Sequence, residues 1–226
     1  MKVILFGRNL DAIRPLIKKM GFKLVESRPN FVISYGGDGT LMQAEEKYPG
    51  IPKIILKGSL VCKKASCFSN EDVLKKIKSK RFKIKKYFKL EAVANAKKLL
   101  AVNDIVVHNK NPRHAIRYKV WIGGQEMSGD VIGDGVVIAT PFGSTAYYRS
   151  ITDSFFEIGI GLAFNNSTEQ FDHMVLDENK KIKIKIIRGP AVVYADNQEK
   201  YIEELCIGSE IIVKKSNKLM KVVEAL

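Results

Sequence analysis

Apolar positions in the first 80 residues alternate between strand-like runs and helix-like repeats. Short apolar runs predict buried strands at residues 3–6, 23–26, 31–34 and 54–56. Apolar residues at helical spacing predict helices at 9–20, 40–48 and 71–80, with Gly21 ending the first and Asn70 capping the last. Strands that alternate with helices predict a parallel, Rossmann-like α/β half.

After residue 80 the apolar period becomes two, which is typical of strands with one buried face. Strands are predicted near residues 82–84, 105–107, 118–122, 136–139, 182–186, 192–194 and 211–213. Turn signals occur at 123–124 and 196–197, and one short helix is expected after Gly143. This half is predicted to be a mostly antiparallel β-sandwich or barrel, with 218–223 as a further strand of either half.

The change of period predicts two domains, 1–80 and 81–207. Residues 208–226 are a candidate tail that packs back on the first domain. The sequence contains neither a repeat nor a flexible linker. Two halves joined without a linker suggest a packed interface, which is a common place for a ligand site.

Composition sets the class of protein. The chain has 226 residues, 46% of them hydrophobic and 27% charged, so disorder is excluded. Neither a signal-peptide core nor a run long enough to span a membrane is apparent, and the three cysteines make no metal motif. The cytoplasm is therefore the expected compartment.

The charge balance is basic but ambiguous. Lys and Arg exceed Asp and Glu by 38 to 24, a net charge of +14. Such an excess suits a nucleic-acid binder, an enzyme with phosphorylated substrates, or a lysine-rich surface with no partner. Composition alone leaves all three open.

The loop at residues 36–40 is the sharpest motif and reads GGDGT. It follows a predicted strand and opens a helix, so its backbone N–H groups are placed to face a phosphate. Asp38 would repel phosphate unless it holds a metal ion or accepts a proton from an attacking hydroxyl. The alternative is a glycine-rich turn in which Asp38 caps the helix.

A second motif at 134–150 reads DGVVIATPFGSTAYYRS. A strand leads into a turn at Gly143, and a helix is expected to start at residues 144–146, where it would present N–H groups and hydroxyls. Tyr147 offers an aromatic face for a base, and Asp134 could accept hydrogen bonds. A plain strand–turn–helix with Ser or Thr as its N-cap is the alternative. A third feature, Asn103 beside Asp104, could bind a sugar diol or could be a simple turn.

In this order, GGDGT, the Asn-acidic pair and TPFGSTAY resemble the NAD kinases, which phosphorylate NAD to NADP. The resemblance covers roughly residues 30–205. TPFGSTAY is its most specific part, since GGDG also occurs in phosphofructokinases and in diacylglycerol and sphingosine kinases. The family pairs an α/β half with an all-β half that binds NAD, in agreement with the division above. It implies a homodimer or homotetramer that uses ATP or polyphosphate with a divalent metal, expected to be Mg²⁺.

The resemblance also implies residue roles. Asp38 would be the catalytic residue that accepts the proton of the 2′-hydroxyl of the adenosine ribose. The ATP phosphate loop would comprise Gly36, Gly37, Gly39 and Thr40. NAD-binding residues would be Asp38, Gly39, Asn103, Asp104, His114, Asp134, Thr145, Ala146, Tyr147, Ser150 and Gln198. No residue is assigned to the metal, and a surface role for His114 stays open.

Four departures from the family pattern stand out. After GGDGT, a Gly-Ile-Asn…Gly-Phe-Leu segment is replaced by IILKGSLVCKKASCFS, and after Ser150 a Gly-Gly-Pro stretch is missing. Asn165-Asn166 stands where a Pro-His is usual. In the turn at 196–198, Asn197 replaces a glycine, and asparagine is the residue best suited to a positive φ there.

Two other classes remain as alternatives. A lipid kinase would share GGDGT but would lack GSTAY and would favour membrane contact. A nucleic-acid binder is suggested only by charge, and no aromatic-basic RNA motif occurs. Neither nucleic acid nor a membrane is therefore expected as a partner.

Overall fold

Two compact units divide the chain in a computed structural model. Met1–Tyr87 together with Lys218–Leu226 form one, which we call the α/β unit, and Phe88–Asn217 form the other, the β-rich unit. The structure describes residues 1–59, 62, 64–127, 129–169, 172–196, 198 and 202–226. Within these ranges, no helix is long and apolar enough to cross a bilayer.

The α/β unit is built on a parallel sheet. Its elements are β1 (Lys2–Gly7), α1 (Leu10–Lys19), β2 (Lys23–Leu24), β3 (Phe31–Gly36), α2 (Asp38–Lys47), β4 (Lys53–Lys57) and α3 (Asn70–Lys78). β1 pairs in parallel with β2 on one side and with β3 on the other, and β3 pairs in parallel with β4. The predicted parallel α/β half is therefore confirmed.

Helices α1 and α3 close this core with apolar residues at helical spacing. Ile17 of α1 and Ile77 of α3 are fully buried in one cluster with Ile33 and Leu56 of the sheet. Gly21 ends α1 with a φ of +70°, as predicted. The predicted cap of α3 was wrong: Ser69 is the N-cap, because its hydroxyl accepts the N–H of Asp72 at 3.1 Å.

A buried ion pair anchors the end of α2. The side chains of Glu45 and Lys53 are 1% and 0% exposed and contact each other directly. Glu45 also accepts the N–H of Gly50 at 3.0 Å, and Lys53 also donates to the carbonyl of Tyr48. Neither charge was predicted to be buried, since the strand was expected to start at residue 54.

The remaining elements lie in the β-rich unit, except that one end of each of two long strands belongs to the α/β unit. They are β5 (Phe82–Ala94), β6 (Lys97–Ala101), β7 (Asp104–Asn109), β8 (Ile116–Ile122), β9 (Gln125–Glu126), β10 (Val131–Gly133), β11 (Gly135–Ala139), α4 (Tyr147–Thr152), β12 (Ile160–Asn165), β13 (His173–Leu176), β14 (Ile182–Arg188), β15 (Ala191–Ala195), β16 (Glu203–Leu205) and β17 (Glu210–Ala225). The end of β17 belongs to the α/β unit, where Val222 and Val223 pair in parallel with β4.

Two antiparallel sheets form this unit. One has the order β13-β12-β11-β7-β15-β16. The other runs β10-β8-β14-β17, with β9 beside β8 and β5 paired with β6. Ile105 and Val107 of the first sheet share a buried cluster with Val120 and Ile184 of the second. The predicted sandwich is therefore confirmed, and the barrel alternative was wrong.

The first sheet has a second face, which we call its outer face. Val106 and Val137 lie there in a separate small cluster with Tyr148 of α4, because neighbouring side chains along a strand point to opposite faces. Asp104 and His108 are two residues from Val106 on either side, so they share its face. The outer face therefore carries both apolar and polar side chains.

Candidate active site

The GGDGT loop joins β3 directly to α2. A Cβ at Gly36 would lie 2.3 Å from the Oγ1 of Thr40, so this position requires glycine. Gly37 is the N-cap of α2 and makes no side-chain capping bond. The N–H of Thr40 donates to the carbonyl of Gly37 at 3.0 Å, whereas within the described residues the N–H groups of Asp38 and Gly39 have no acceptor. Among those residues nothing lies within 4 Å of where a Cβ of Gly39 would be. The start of α2 thus offers two N–H groups, an arrangement that suits an anion.

Asp38 is the first residue of α2 and is half-buried. Its Oδ1 accepts the backbone N–H of Lys64 at 3.1 Å, and the thiol of Cys62 lies 3.8 Å from the same oxygen. Because α2 has no side-chain cap, the alternative in which Asp38 caps the helix was wrong. The loop after β4 instead holds this carboxylate.

Cys62 is a neighbour of Asp38 that sequence reasoning missed. Burial, followed by the negative charge of Asp38, raises the pKa of the Cys62 thiol, although Lys57 opposes this. Cys62 therefore remains a protonated donor toward Asp38. It falls in the segment that departs most from the family pattern, which is why no motif identified it.

In the β-rich unit, Asp196 organises the Asn103–Asp104 turn. Its carboxylate accepts the backbone N–H groups of Val102, Asn103 and Asp104, with the shortest distance 2.7 Å to Asn103. Asp196 adopts a φ of +50° just after β15. The turn is thus fixed by a carboxylate far away in the sequence.

The TPFG segment packs directly against the same turn. The N–H of Thr140 donates to the carbonyl of Asn103 at 2.8 Å, and the Thr140 hydroxyl donates to the carbonyl of Val102 at 2.6 Å. A Cβ at Gly143 would lie 2.2 Å from the Asn103 oxygen. The two motifs are therefore one structural element, and Gly143 is required for their contact.

The Asn103 side chain has an unmet hydrogen bond. Its Oδ1 is buried without a partner among the described residues, and so is the Oε1 of Gln198. The Nε2 of Gln198 lies 3.5 Å from Asp196. Asn197 of the same predicted turn lies outside the described residues. Buried polar atoms are rarely left unpaired, so these two oxygens mark where a ligand could donate.

Tyr147 stands on the outer face beside polar residues that were not predicted. Its hydroxyl accepts a hydrogen bond from the Nδ2 of Asn165 at 3.1 Å, and that nitrogen lies 3.3 Å from the Nε2 of His108. Gly135 lies between His108 and Asn165 in the sheet, and a Cβ there would lie 2.0 Å from the Val107 carbonyl oxygen. This position of β11 therefore requires glycine.

Asp134 is held by two asparagines. Its Oδ1 accepts from Asn109 at 2.9 Å and its Oδ2 from Asn166 at 2.6 Å. Asn109 also donates to the backbone carbonyl of His114 at 3.1 Å. Asn165 and Asn166, which depart from the family's Pro-His, are thus bonded to two of the predicted site residues.

Burial changes the acidity of this region. Burial and, second, the charge of Asp196 raise the pKa of Asp104 to about 8. Burial also raises the pKa of Tyr147, and raises that of Tyr194 to about 12, with nearby acidic groups adding to both. Tyr194 was not predicted as a site residue. Its strand position two residues before Asp196 was the only available signal.

The other predicted residues have mixed surroundings. Thr145 is half-buried, whereas His114 and Ser150 are exposed, and Ser150 donates to the carbonyl of Tyr147 at 2.7 Å. Helix α4 begins at Tyr147, one residue after the predicted start at 144–146, and the alternative of a Ser or Thr cap was wrong, because Ala146 is the N-cap and makes no side-chain bond. Ser144 instead donates to the carbonyls of Pro141 and Phe156.

The glycine-rich start of α2, and separately the turn oxygens of Asn103 and Gln198 that are unpaired among the described residues, each suit a nucleotide-binding protein. Residues 102–225 match the family model described as the ATP-NAD kinase C-terminal domain. The chain therefore belongs to the NAD kinase family.

Curated relatives agree with this family. The chain is 32% identical to the NAD kinase of Saccharolobus solfataricus over 148 residues, which are 65% of this chain and 57% of that protein. It is 29% identical to the bifunctional NADP phosphatase/NAD kinase of Methanococcus maripaludis over 204 residues, 82% of this chain and 35% of that protein. The chain thus spans between about a third and just over half of these curated relatives.

The fold has a close match among solved structures. A crystal structure of an NAD kinase from Archaeoglobus fulgidus in complex with ATP aligns with a TM-score of 0.78 and 22% identity, covering 98% of this chain and 93% of that one. At this identity the likeness establishes the fold. It supports an α/β half followed by a β-rich half.

Proposed function

We propose that this chain is an NAD kinase that transfers the terminal phosphoryl group of ATP, or of polyphosphate, to the 2′-hydroxyl of the adenosine ribose of NAD. One observation carries the proposal beyond family membership. The buried Oδ1 of Asn103 has no partner among the described residues and lies beside Asp104, in the unit that the family model covers. An unpaired acceptor beside an acid suits a ligand with hydroxyl groups.

The NAD side of the site comprises the residues implied by the family resemblance. Asn103, Asp104, Asp134, Tyr147 and Gln198 would hold the dinucleotide, with Tyr147 offering a ring face to a base. Thr145, Ala146, Ser150 and His114 complete the proposed set. Asn165 and Asn166 support it through their bonds to Tyr147 and Asp134.

The phosphate side is the GGDGT loop. N–H groups at the start of α2 would bind the donor's phosphates, with Gly36, Gly37, Gly39 and Thr40 shaping the loop. Among the described residues no group of three or more His, Cys, Asp or Glu could hold a metal ion. Mg²⁺ would be bound mainly by substrate phosphates, with Asp38 as the acidic side chain of the loop. When bound, such an ion would neutralise charge on the transferring phosphoryl group.

Asp38 would orient the 2′-hydroxyl and accept its proton. A bond would form between the hydroxyl oxygen and the terminal phosphorus, while the bond to the bridging oxygen breaks and ADP, or the shortened polyphosphate, leaves with the electron pair. The transition state of such transfers is loose, so positioning and charge stabilisation carry most of the rate. General-base help is typically worth about 10²–10⁴-fold.

The decisive assay incubates the full chain with NAD, Mg²⁺ and either ATP or polyphosphate, and measures NADP. Asp38→Asn should lower turnover by about 10²–10⁴-fold with a smaller effect on the KM for NAD. Asp11→Asn is the matched control, because the Asp11 side chain is 97% exposed at the start of α1. Formation of no NADP with either donor would refute the function, and near wild-type turnover of Asp38→Asn would remove Asp38 from catalysis.

Three wider expectations also belong to the proposal. The enzyme is expected to be a homodimer or homotetramer, which light scattering of the purified chain would test. The cytoplasm is the expected compartment, since all three cysteines are free and a reducing environment would keep them so. Neither nucleic acid nor a membrane surface is an expected partner.

A further inference from the structure

Two carboxylic acids lie next to each other at the NAD side of the proposed site. Asp104 begins β7, Asp196 follows β15, and the N–H of Asp196 donates to the backbone carbonyl of Asp104 at 2.8 Å. They are only 5% and 4% exposed. Ionising two neighbouring buried carboxyl groups together is energetically unfavourable. One of the two is therefore expected to keep its proton.

The surroundings of Asp196 favour its charged form. Its carboxylate receives hydrogen bonds from three successive backbone N–H groups, those of Val102, Asn103 and Asp104. Burial raises the pKa of Asp196, but these donors and the nearby positive charge of Lys89 act in the opposite direction. Three convergent amides form the kind of concavity that binds anions.

The surroundings of Asp104 favour its neutral form. Within the described ranges, neither a backbone nor a side-chain donor bonds to its carboxylate. Of the described titratable groups, Asp196 and the hydroxyls of Tyr147 and Tyr194 interact electrostatically with Asp104. The charge of Asp134 acts on Tyr147 as well. Among the described residues, neither a cation nor a hydrogen-bond donor thus compensates a charge on Asp104.

We propose that the pair carries a single negative charge, that this charge resides on Asp196, and that Asp104 presents a carboxylic O–H to the dinucleotide as a hydrogen-bond donor. The inference rests on the proposed function, because it concerns how the same site recognises NAD. Asp196 is then a positioning residue, which holds the backbone of the turn and keeps its neighbour protonated. Asp104 would pair with an acceptor oxygen of the ligand.

The variant Asp104→Asn tests whether Asp104 acts as a hydrogen-bond donor or as an ionised carboxylate. The asparagine amide keeps the shape and a donor but carries no charge. Titration calorimetry with NAD at neutral pH should give a dissociation constant within about threefold of wild type for this variant, whereas Asp104→Leu should weaken binding by about tenfold or more. Equal losses in the two variants would show that Asp104 acts as an ionised acceptor, and would overturn the proposal.

The pH dependence gives a second discrimination. The affinity of wild type for NAD should fall as the pH rises through about 8, where Asp104 loses its proton. Asp104→Asn should lack this fall. An affinity that is constant through this range in wild type would contradict a neutral Asp104.

A ligand-free measurement separates this inference from the proposed function. Carbon-13 NMR of the aspartate carboxyls in the full chain should reveal one group that titrates near pH 8, that is absent in Asp104→Asn and that moves to lower pH in Asp196→Asn. If this titration is seen but wild type binds no NAD, the proposed function fails and the shared-charge pair stands. If every aspartate is ionised below about pH 6 in wild type, the inference is wrong whether or not NAD binds.

Discussion

Asn166 donates its Nδ2 hydrogen to the Oδ2 of Asp134 at 2.6 Å. This asparagine stands where relatives of the family usually have a histidine. It bonds to Oδ2 of Asp134, whereas Asn109 bonds to Oδ1. The departure in sequence therefore preserves the orientation of a predicted NAD-binding carboxylate. Asn166 adopts a φ of +48°, so an altered residue should act on NAD binding and also strain the backbone.

Asn166→Ala should raise the KM for NAD by about three- to tenfold, because a charge-assisted hydrogen bond is lost on the partly solvated side of Asp134. Asn166→Asp should raise it further, since it sets a second negative charge against the first. Steady-state kinetics with varied NAD measures both. Ser167→Ala is the adjacent control, and wild-type KM values in both Asn166 variants would contradict a role for this bond.

Gly143→Ala should destabilise the β-rich unit by about 2–4 kcal/mol, because its Cβ would lie 2.2 Å from the carbonyl oxygen of Asn103. Backbone on both sides leaves little room for relaxation. Trp121, the single tryptophan, lies on β8 of this unit, so its fluorescence during urea unfolding reports the loss. An unchanged midpoint would show that the turn and the TPFG segment are not tightly joined.

Gly39→Ala is the same chemical change in open space, and it should separate stability from activity. Among the described residues nothing lies within 4 Å of the added Cβ, so the unfolding midpoint should stay at the wild-type value or rise. If phosphates approach this backbone, kcat/KM should fall by about tenfold or more, since small displacements of reacting groups are costly. Full activity would place the ligand away from Gly39.

Much of the fold could be predicted because the apolar period changes once along the chain. Helical repeats between short apolar runs gave the parallel α/β half, and alternating residues gave the sandwich. The start of a helix is harder to predict where two neighbouring residues are both suitable N-caps. Ser69 and Asn70 are both good N-caps, and only the bond to Asp72 identifies Ser69.

The candidate site could be predicted only where it consists of contiguous strings. In GGDGT and GSTAY, local turns position residues that are neighbours along the chain. The strings alone therefore indicate which of these residues lie together. Asp196 bonds to Asn103 across 93 residues, and neither position has a pattern that points to the other. Tyr194 and His108 occupy ordinary strand positions, so only the pairing of β7 with β15 brings them to the same face.

Lys53→Met should destabilise the α/β unit by about 3–5 kcal/mol, because it leaves the 1% exposed Glu45 carboxylate buried without its cation. Far-UV circular dichroism during urea unfolding follows α1 to α3, which lie in this unit. Lys19→Met is the matched control, since its ion pair with Glu71 is solvent-exposed at 3.8 Å and should contribute less than about 1 kcal/mol.

The double variant Glu45→Leu with Lys53→Met tests the cause of that loss. Replacing both charges with apolar side chains removes the unpaired carboxylate, so much of the stability should return. Equal destabilisation in the single and the double variant would mean that packing around Lys53, and not its charge, is what matters.

Asp104 should make the stability of the β-rich unit fall with rising pH. Its pKa is about 8 in the folded chain, above the ordinary value of about 3.9 expected after unfolding. Between these values the folded state keeps a proton that the unfolded state releases, so each pH unit of increase costs at most about 1.4 kcal/mol. The stabilising effect is complete below the unfolded value and is lost as the pH passes the folded value.

Asp104→Asn removes this proton, so the variant should gain stability relative to wild type as the pH rises from about 4 to about 8, and the gain should level off above that. The difference between the two proteins is the useful quantity, because most other titrating groups cancel in it. Urea midpoints from Trp121 fluorescence at a series of pH values would measure it. A difference that stays constant from pH 5 to pH 8 would mean that Asp104 is already ionised at the lower end, since only a proton bound in the folded state alone can give the slope.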